Sequence, residues 1–480
     1  MIALTLAQLV TATGGTLVGP RESGLVVIDG PVVTDSRAAG PGGLYVARMG
    51  EHADGHDYVA AAAQAGAVAA LTSRPVPEVP SMPCIVVDDV QTAFGVIARA
   101  ALKQAGADGF GPVVVGVTGS SGKTSTKDLL AQVLGCAGET VAPVNSLNGE
   151  IGVPLTVCRI TPATRFLVVE MGARGVGHIR YLTTIAPPRI GVVLNVGTAH
   201  VGEFGGRDAI ATAKGELVEA LPAGGLAVLN ADDPAVVGMA ARTQARVVRV
   251  GEGPEAEIRA TRIRLDHQGR AAFILTTPEG TADVRLALHG RHHVGNALAV
   301  VAVALECGMP LAAVVDALES SSPVSRWRME VTERPDGVTV VNDAYNANPD
   351  SMTAALAALA AMTRPEGHAH RRSVAVLGEM LELGPDARSA HEAVGAEVTA
   401  QRLDVLVTVG RGAEAIADGA VGAVGAEARH PETHRVSDAD AAYTLLREKL
   451  RPGDVVLFKS SNAAGLRWLG ERVAAMEVTR

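Results

Sequence analysis

The chain has 480 residues, too many for one ordinary hydrophobic core, and its length suits about three domains of common size. Hydrophobic residues make up 48% and charged ones 19%, which excludes a disordered chain. A formal net charge of −9 leaves no overall basic footprint for nucleic acid, so phosphorylated ligands would have to meet local positive charge.

The start, "MIALTLAQLVTATGG", lacks the basic flank and long apolar core of a signal peptide, and no window is apolar for long enough to span a membrane. Residues 1–110 mix short β-like runs ("LVVIDGPVV", "CIVVDDV") with alanine-rich helices such as "YVAAAAQAGAVAAL", and carry a proline-rich loop, "SRPVPEVPSMPC". Cys84, Cys136, Cys158 and Cys307 lie far apart with no metal-type pairing and are expected as buried, reduced thiols of a cytoplasmic protein.

Gly111-Pro112 breaks the chain ahead of a second region, 111–325. There "VVVGVTG", "FLVVEMG", "IGVVLNVG" and "LAVLNADDP" alternate with helical segments, and each run ends in glycine or polar residues. That rhythm predicts a mostly parallel sheet whose strand ends face ligands. "ESSSPVSRW", 319–327, reads as a hinge. The third region, 326–480, repeats the rhythm with "VTVVNDAYN", "SVAVLGEM", "LDVLVTVG" and "DVVLFKSS". The expected fold is α/β with three domains: a smaller N-terminal one, then two built on mostly parallel sheets.

The chemistry starts at "VVVGVTGSSGKTSTKDLL", 113–130. The strict phosphate-loop pattern is not met, because Val117 stands where its first glycine would be; what remains is G-x-x-G-K-T from Gly119 to Thr124. The parts are complete nonetheless. Loop amides from Gly119, Ser120, Ser121, Gly122 and Ser125 at a helix N-terminus suit phosphate oxygens. Lys123 suits the outer phosphates, and the Thr124 hydroxyl suits Mg²⁺. Leu129, Leu130, Val133 and Leu134 form the face by which the next helix docks on the sheet.

Other strand-end residues are weaker when taken singly. Glu170 closes "FLVVE", where its carboxylate could share a Mg²⁺ with Thr124. His200, in "NVGTAHVGEFG", alone reads as a hydrogen-bonded structural histidine, Lys214, in "ATAKGEL", as a solvated helix residue, and Asn296, in "HHVGNALA", as a residue near an N-cap. "NANPDS" reads as a helix cap with Pro349 in the first turn.

Taken together, these motifs resemble the Mur ligase family over nearly the whole chain. The resemblance runs through "TDSR", "DGHDY", "TGSSGKTS", "NSLNGEIGVPLTV", "VVEMGA", "NVGTAHVGEFG", "AKGEL", "HHVGNALA", "SRWRMEV", "VVNDAYNANPDSM", "VLGEMLELG" and "VLFKSSNAAGL". It departs from the family pattern at Lys459-Ser460-Ser461, where K-G-S is usual, and at Trp327-Arg328, where G-R is usual. The second departure leaves open whether Arg326 or Arg328 reaches the nucleotide.

The resemblance implies an ATP-dependent amide ligase that joins D-Ala-D-Ala to UDP-N-acetylmuramoyl-tripeptide through an acyl phosphate. It implies a central phosphate-loop ATPase domain and a C-terminal Rossmann-like domain, ATP and Mg²⁺ as cofactors, a cytoplasmic monomer, small-molecule partners, no nucleic acid and no membrane insertion. By the same resemblance Lys123, His200 and Lys214 are catalytic, and Thr124, Glu170, His200 and Lys214 hold metal, with Lys214 carbamylated. The alternative for Lys214 is a simple phosphate or Glu216 partner. Asn296, Arg328, Asp343 and Asn346 would join the loop at the nucleotide, with Asn348 beside them. Ser36 and Arg37 would take the UDP part, and Asn145 and Asn148 would line the peptide path. Rival readings are a sibling ligase that adds a single amino acid, a folylpolyglutamate synthase-like relative, and a non-catalytic nucleotide-binding regulator.

Overall fold

The computed structural model describes residues 1–50, 53–107, 109–197, 206–365, 369–423 and 429–476. Among these residues, three large sheets follow one another along the chain. The N-terminal sheet has five strands in the order Thr16–Val18, Cys84–Val86, Ala67–Thr72, Gly43–Val46 and Val32–Val33. All its pairs are parallel except the first.

One expectation fails here. "YVAAAAQAGAVAAL" is not a continuous helix: Val59–Gln64 is helical, and Ala67–Thr72 is a strand. Gly66 between them has φ 106°, and a Cβ there would lie 2.9 Å from the Pro41 nitrogen. Only glycine turns the chain so tightly against the neighbouring loop, and the alanines beyond it then pair with Gly43–Val46.

The central sheet has nine strands among the described residues. From one edge they are Gly280–His289, Arg270–Thr277, Ile258–Leu265, Arg246–Gly251, Leu226–Asn230, Ile190–Val193, Val113–Thr118, Phe166–Glu170 and Thr140–Val141. The first three form an antiparallel meander appended to a parallel sheet. Val113–Thr118 lies at its middle and is packed from both faces, which is why its sequence is nearly all β-branched. The C-terminal sheet orders Glu330–Glu333, Thr339–Asn342, Val455–Lys459, Ser373–Leu377, Val405–Val409 and Glu432–Val436, parallel except for the first pair.

The cores divide unevenly. One apolar cluster runs through both the N-terminal and central parts, joining Leu6, Phe94 and Ile97 to Ile179, Leu182 and Ile185. A second fills the other face of the central sheet. The C-terminal part has two clusters of its own, whose buried members all lie between Met329 and Val473.

All four cysteines are free thiols; Cys84 and Cys158 are buried as expected, whereas Cys136, just past the end of its helix, is exposed. No described helix is long and apolar enough to cross a membrane.

Candidate active site

At the C-terminal end of Val113–Thr118 the chain turns through Gly119–Gly122 into the helix Lys123–Gly135. Leu129, Leu130, Val133 and Leu134 are buried under that helix. Gly122 has φ 80°, and a Cβ there would meet Asn296 Oδ1 at 2.8 Å. Asn296 is buried in the helix His293–Glu306, so it sits against the loop and not at a cap.

Asn195, just beyond Ile190–Val193, shapes the loop from the side. Its Oδ1 accepts the amides of Ser120 and Ser121, both at 2.9 Å. These two amides are thereby engaged within the protein. Lys123 Nζ donates to the Gly119 carbonyl at 2.7 Å, folding the side chain over its own loop.

Next to the loop, Glu170 is fully buried. Thr124 Oγ1 donates to its Oε2 at 3.0 Å, and Ser146 Oγ and Asn148 Nδ2 donate to its Oε1, both at 2.8 Å. A buried carboxylate among neutral hydroxyl and amide groups is a hard-oxygen set of the kind Mg²⁺ prefers. Lys214 is buried in the helix Arg207–Glu219 and lines the same cleft. Glu216, its expected alternative partner, turns elsewhere: its carboxylate accepts the amides of Gly177 at 2.6 Å and Arg180 at 3.0 Å, capping the helix His178–Ile185. His200 lies outside the described residues.

The C-terminal part forms the opposite wall. The cleft, of about 760 Å³, is lined by the whole stretch from Gly119 to Ser125 and by Glu170, Lys214, Asn296, Arg328, Asp343, Asn346 and Lys459. Among the bonds that cross it are those from Arg328 Nη2 to Thr124 Oγ1 at 3.4 Å and from Asn348 Nδ2 to the Ser120 carbonyl at 3.5 Å. Asn348 also caps the helix Pro349–Thr363 in a reciprocal arrangement with Ser351, so "NANPDS" is both a cap and a cleft wall. Of the two hinge arginines, Arg328 enters the cleft, whereas Arg326 pairs with Glu471 and is largely exposed.

Asp343 is turned into the fold. Its Oδ1 accepts the Met329 amide at 3.0 Å, and its Oδ2 pairs with Lys459. Lys459 also donates to the Asn346 carbonyl at 3.2 Å. The cleft therefore gathers several cations, of which Lys214 and Lys459 are buried in its walls. Burial lowers the pKa values of Lys123, Lys214 and Lys459; the charge of Lys123 lowers Lys214 further, and that of Arg328 lowers Lys123 and Lys459. Glu170 and Asp343 pull Lys123 and Lys459, respectively, the other way. A polyanion would relieve this repulsion.

Three expected residues lie apart from the cleft. Ser36 is buried in a short turn, Ser36–Ala38, at the end of the N-terminal sheet. Arg37 beside it is exposed and forms a two-pronged pair with Asp35, which holds that carboxyl down at about 2. Asn145 has φ 54° and is exposed, while its neighbour Ser146 reaches Glu170. Sequence reasoning had missed Ser146, Asn195 and Lys459 as members of the site. A signal was present for each: Ser146 lies two residues before Asn148, Asn195 follows a parallel strand by two residues, and Lys459 ends "VVLFK".

Residues 117–304 match the Mur ligase middle domain, 327–462 the Mur ligase glutamate ligase domain, and 31–102 the catalytic domain of the Mur ligase family. The chain is 48% identical to the UDP-N-acetylmuramoyl-tripeptide–D-alanyl-D-alanine ligase of Mycobacterium tuberculosis, an alignment covering 99% of this chain and 98% of that one. A MurF crystal structure from Acinetobacter baumannii superposes with a TM-score of 0.86 at 30% identity, covering 99% of both chains. The Thermotoga maritima MurF ligase, solved in complex with ADP, superposes at 0.78 with 27% identity, covering 93% of this chain and 97% of that one. With three matched domains and a relative at this identity over nearly its full length, the chain belongs to the Mur ligase family.

Proposed function

We propose that this chain is an ATP-dependent ligase that joins D-alanyl-D-alanine to UDP-N-acetylmuramoyl-tripeptide, a step of peptidoglycan precursor synthesis. The observation that carries the reading is the cleft itself, where a glycine loop with Lys123, the buried Lys214 and Lys459, and Arg328 converge between two domains. Such a site suits the meeting of a triphosphate with a carboxylate, two anions that repel each other in water. The 48% identity over nearly the whole chain supports this choice of substrates within the family.

The chemistry follows from the need to activate a carboxylate. A carboxylate oxygen of the tripeptide attacks the γ-phosphorus of ATP; the bond from that phosphorus to the β–γ bridging oxygen breaks, and ADP leaves. The amine of D-Ala-D-Ala then attacks the acyl carbon and loses a proton, and the C–O bond to phosphate breaks, giving the amide. Lys123, Arg328 and the amides at the helix start hold the transferring phosphoryl group, where charge neutralisation and positioning do most of the work. Asn296 borders the nucleotide, and Asp343 and Asn346 complete its site from the C-terminal side. Thr124, Glu170, His200 and a carbamylated Lys214 would hold Mg²⁺, which supplies Lewis-acid charge neutralisation when bound. Ser36 and Arg37 contact the UDP part, and Asn145 and Asn148 the muramoyl-peptide path.

The test is phosphate release from ATP with the UDP-tripeptide present, comparing D-Ala-D-Ala with single D- and L-amino acids, and Lys123→Ala with the unaltered chain. Turnover is expected with the dipeptide alone, and a loss of at least roughly a hundredfold in Lys123→Ala with the fold intact. Faster turnover with a single amino acid would point to a sibling ligase. Near-normal turnover in Lys123→Ala would make 119–124 a structural turn.

A further inference from the structure

Arg328 reaches the phosphate loop from a backbone that is held in an unusual shape. The residues on either side, Trp327 with φ 59° and Met329 with φ 50°, both lie in the left-handed region, where bulky side chains rarely sit. Such a conformation persists only where the surroundings enforce it. Here the Trp327 amide donates to Glu330 Oε2 at 2.9 Å, the Trp327 carbonyl accepts the Tyr345 amide at 3.2 Å, and the Met329 amide donates to Asp343 Oδ1 at 3.0 Å.

The side chains add a stack. The Arg328 guanidinium lies over the Tyr345 ring at 4.3 Å, and Tyr345 stacks on Trp327 with centroids 6.4 Å apart and planes at 22°. Trp327 in turn meets Trp468 edge-on at 5.1 Å, and Arg467 lies over both indoles at 5.3 and 5.0 Å. Trp327 Nε1 donates to Glu471 Oε1 at 2.8 Å. Each of these contacts is modest, but together they fix the plane of the guanidinium as well as its position.

We infer that Trp327 is a positioning residue for Arg328: it locks the hinge onto the C-terminal helix Leu466–Ala474 so that the guanidinium meets the outer phosphates of the bound nucleoside triphosphate in one orientation. The inference rests on the reading of the cleft as an ATP site. The positive φ that glycine adopts freely is enforced here by the stack and the carboxylates around it.

The test is a double-mutant cycle on the purified full-length chain, following KM for ATP and KM for the UDP-tripeptide separately. Trp327→Leu is expected to raise KM for ATP about tenfold, while KM for the UDP-tripeptide stays within about twofold. Trp327→Phe keeps a ring and should recover to within about threefold of the unaltered chain. In an Arg328→Ala background, Trp327→Leu should change KM for ATP by less than about twofold, because the group it positions is gone. Should Trp327→Leu not fold, Trp468→Ala takes its place in the cycle, with an expected effect of about threefold in the same direction. A full multiplicative effect in the Arg328→Ala background, or equal rises in both KM values, would overturn the inference and leave Trp327 as hinge packing. If Arg328→Ala alone leaves the ATP parameters unchanged, the nucleotide role of Arg328 fails, and the positioning role fails with it.

Discussion

Lys214 occupies a place where an ordinary ammonium group is costly: it is buried, it faces the phosphate cleft, and the charge of Lys123 adds repulsion to desolvation. Both effects favour its neutral amine, the form that adds CO₂. The ammonium gives up one proton, the free amine nitrogen bonds to the carbon as one C=O π bond opens onto oxygen, and a second proton leaves the nitrogen, so the side chain changes from a cation to an anion with two hard oxygens. The modification would turn the repulsion from Lys123 into attraction and supply an oxygen ligand for Mg²⁺. Protein equilibrated with ¹³C-bicarbonate is therefore expected to show a carbamate resonance that is absent from Lys214→Ala. That variant should lose at least roughly a hundredfold in turnover and regain part of it with short carboxylates added. An alanine variant that turns over normally without additives would remove Lys214 from the metal set.

Within elements, the glycine of "AKGEL" has a packing reason that periodicity could not reveal. Arg242 lies against Gly215 so closely that a Cβ would come within van der Waals overlap of its guanidinium. That guanidinium donates to the carbonyls of Ala211 at 3.1 Å and Thr212 at 2.8 Å, and to Glu219 at 2.8 Å. Gly215→Ala should displace it and cost about 1–2 kcal/mol, the lost bonds outweighing the better helix propensity of alanine. Gly295, also helical but with open space around its Cβ position, should gain about 0.5–1 kcal/mol on the same change. Thermal unfolding of the two variants would show opposite shifts in Tm; a rise in both would remove Arg242 as the reason for the glycine. The strands and the phosphate loop were legible in the sequence because each is a contiguous pattern: "VVVGVTG" and "GKT" carry their own periodicity and chemistry. Asp343 was legible as a member of the site, but not the direction of its side chain, because the bonds to Met329 and Lys459 join residues 14 and 116 positions away. Asn145 shares a motif with Asn148, and the motif does not reveal that its left-handed backbone leaves it exposed while Ser146 and Asn148 reach Glu170. The appended hairpins of residues 258–289 and the split at Gly66 likewise depended on neighbours distant in the chain.

For the molecule as a whole, the division of the cores decides what can move. The N-terminal and central parts share one apolar cluster, and the Gln91 side chain of the first donates to the Glu150 carbonyl of the second. The C-terminal part keeps its own cores and reaches the phosphate loop through the cleft-spanning bonds of Arg328 and Asn348. At the hinge, Gln132 and Ser322 exchange a pair of bonds at 2.9 and 3.0 Å. Rigid-body motion is therefore expected between the C-terminal part and the other two moving as one. Closure would exclude water from an acyl phosphate that hydrolysis would otherwise destroy. Small-angle scattering should give a smaller radius of gyration with a non-hydrolysable ATP analogue plus UDP-tripeptide than with neither, and identical curves in the two states would count against a closing site.

The stack at the hinge has an optical consequence. The chain contains only two tryptophans, Trp327 and Trp468, and their rings lie 5.1 Å apart where the central and C-terminal parts meet. Indole emission excited at the red edge of the absorption band thus comes almost entirely from one spot, with no background from the N-terminal or central cores. Arg326 and Arg467 lie over the same ring, and one face of Trp468 is open to solvent, so the emitting groups sit in a strong local field beside water. The protein carries a native, unlabelled spectroscopic gauge at the joint on which its domains turn.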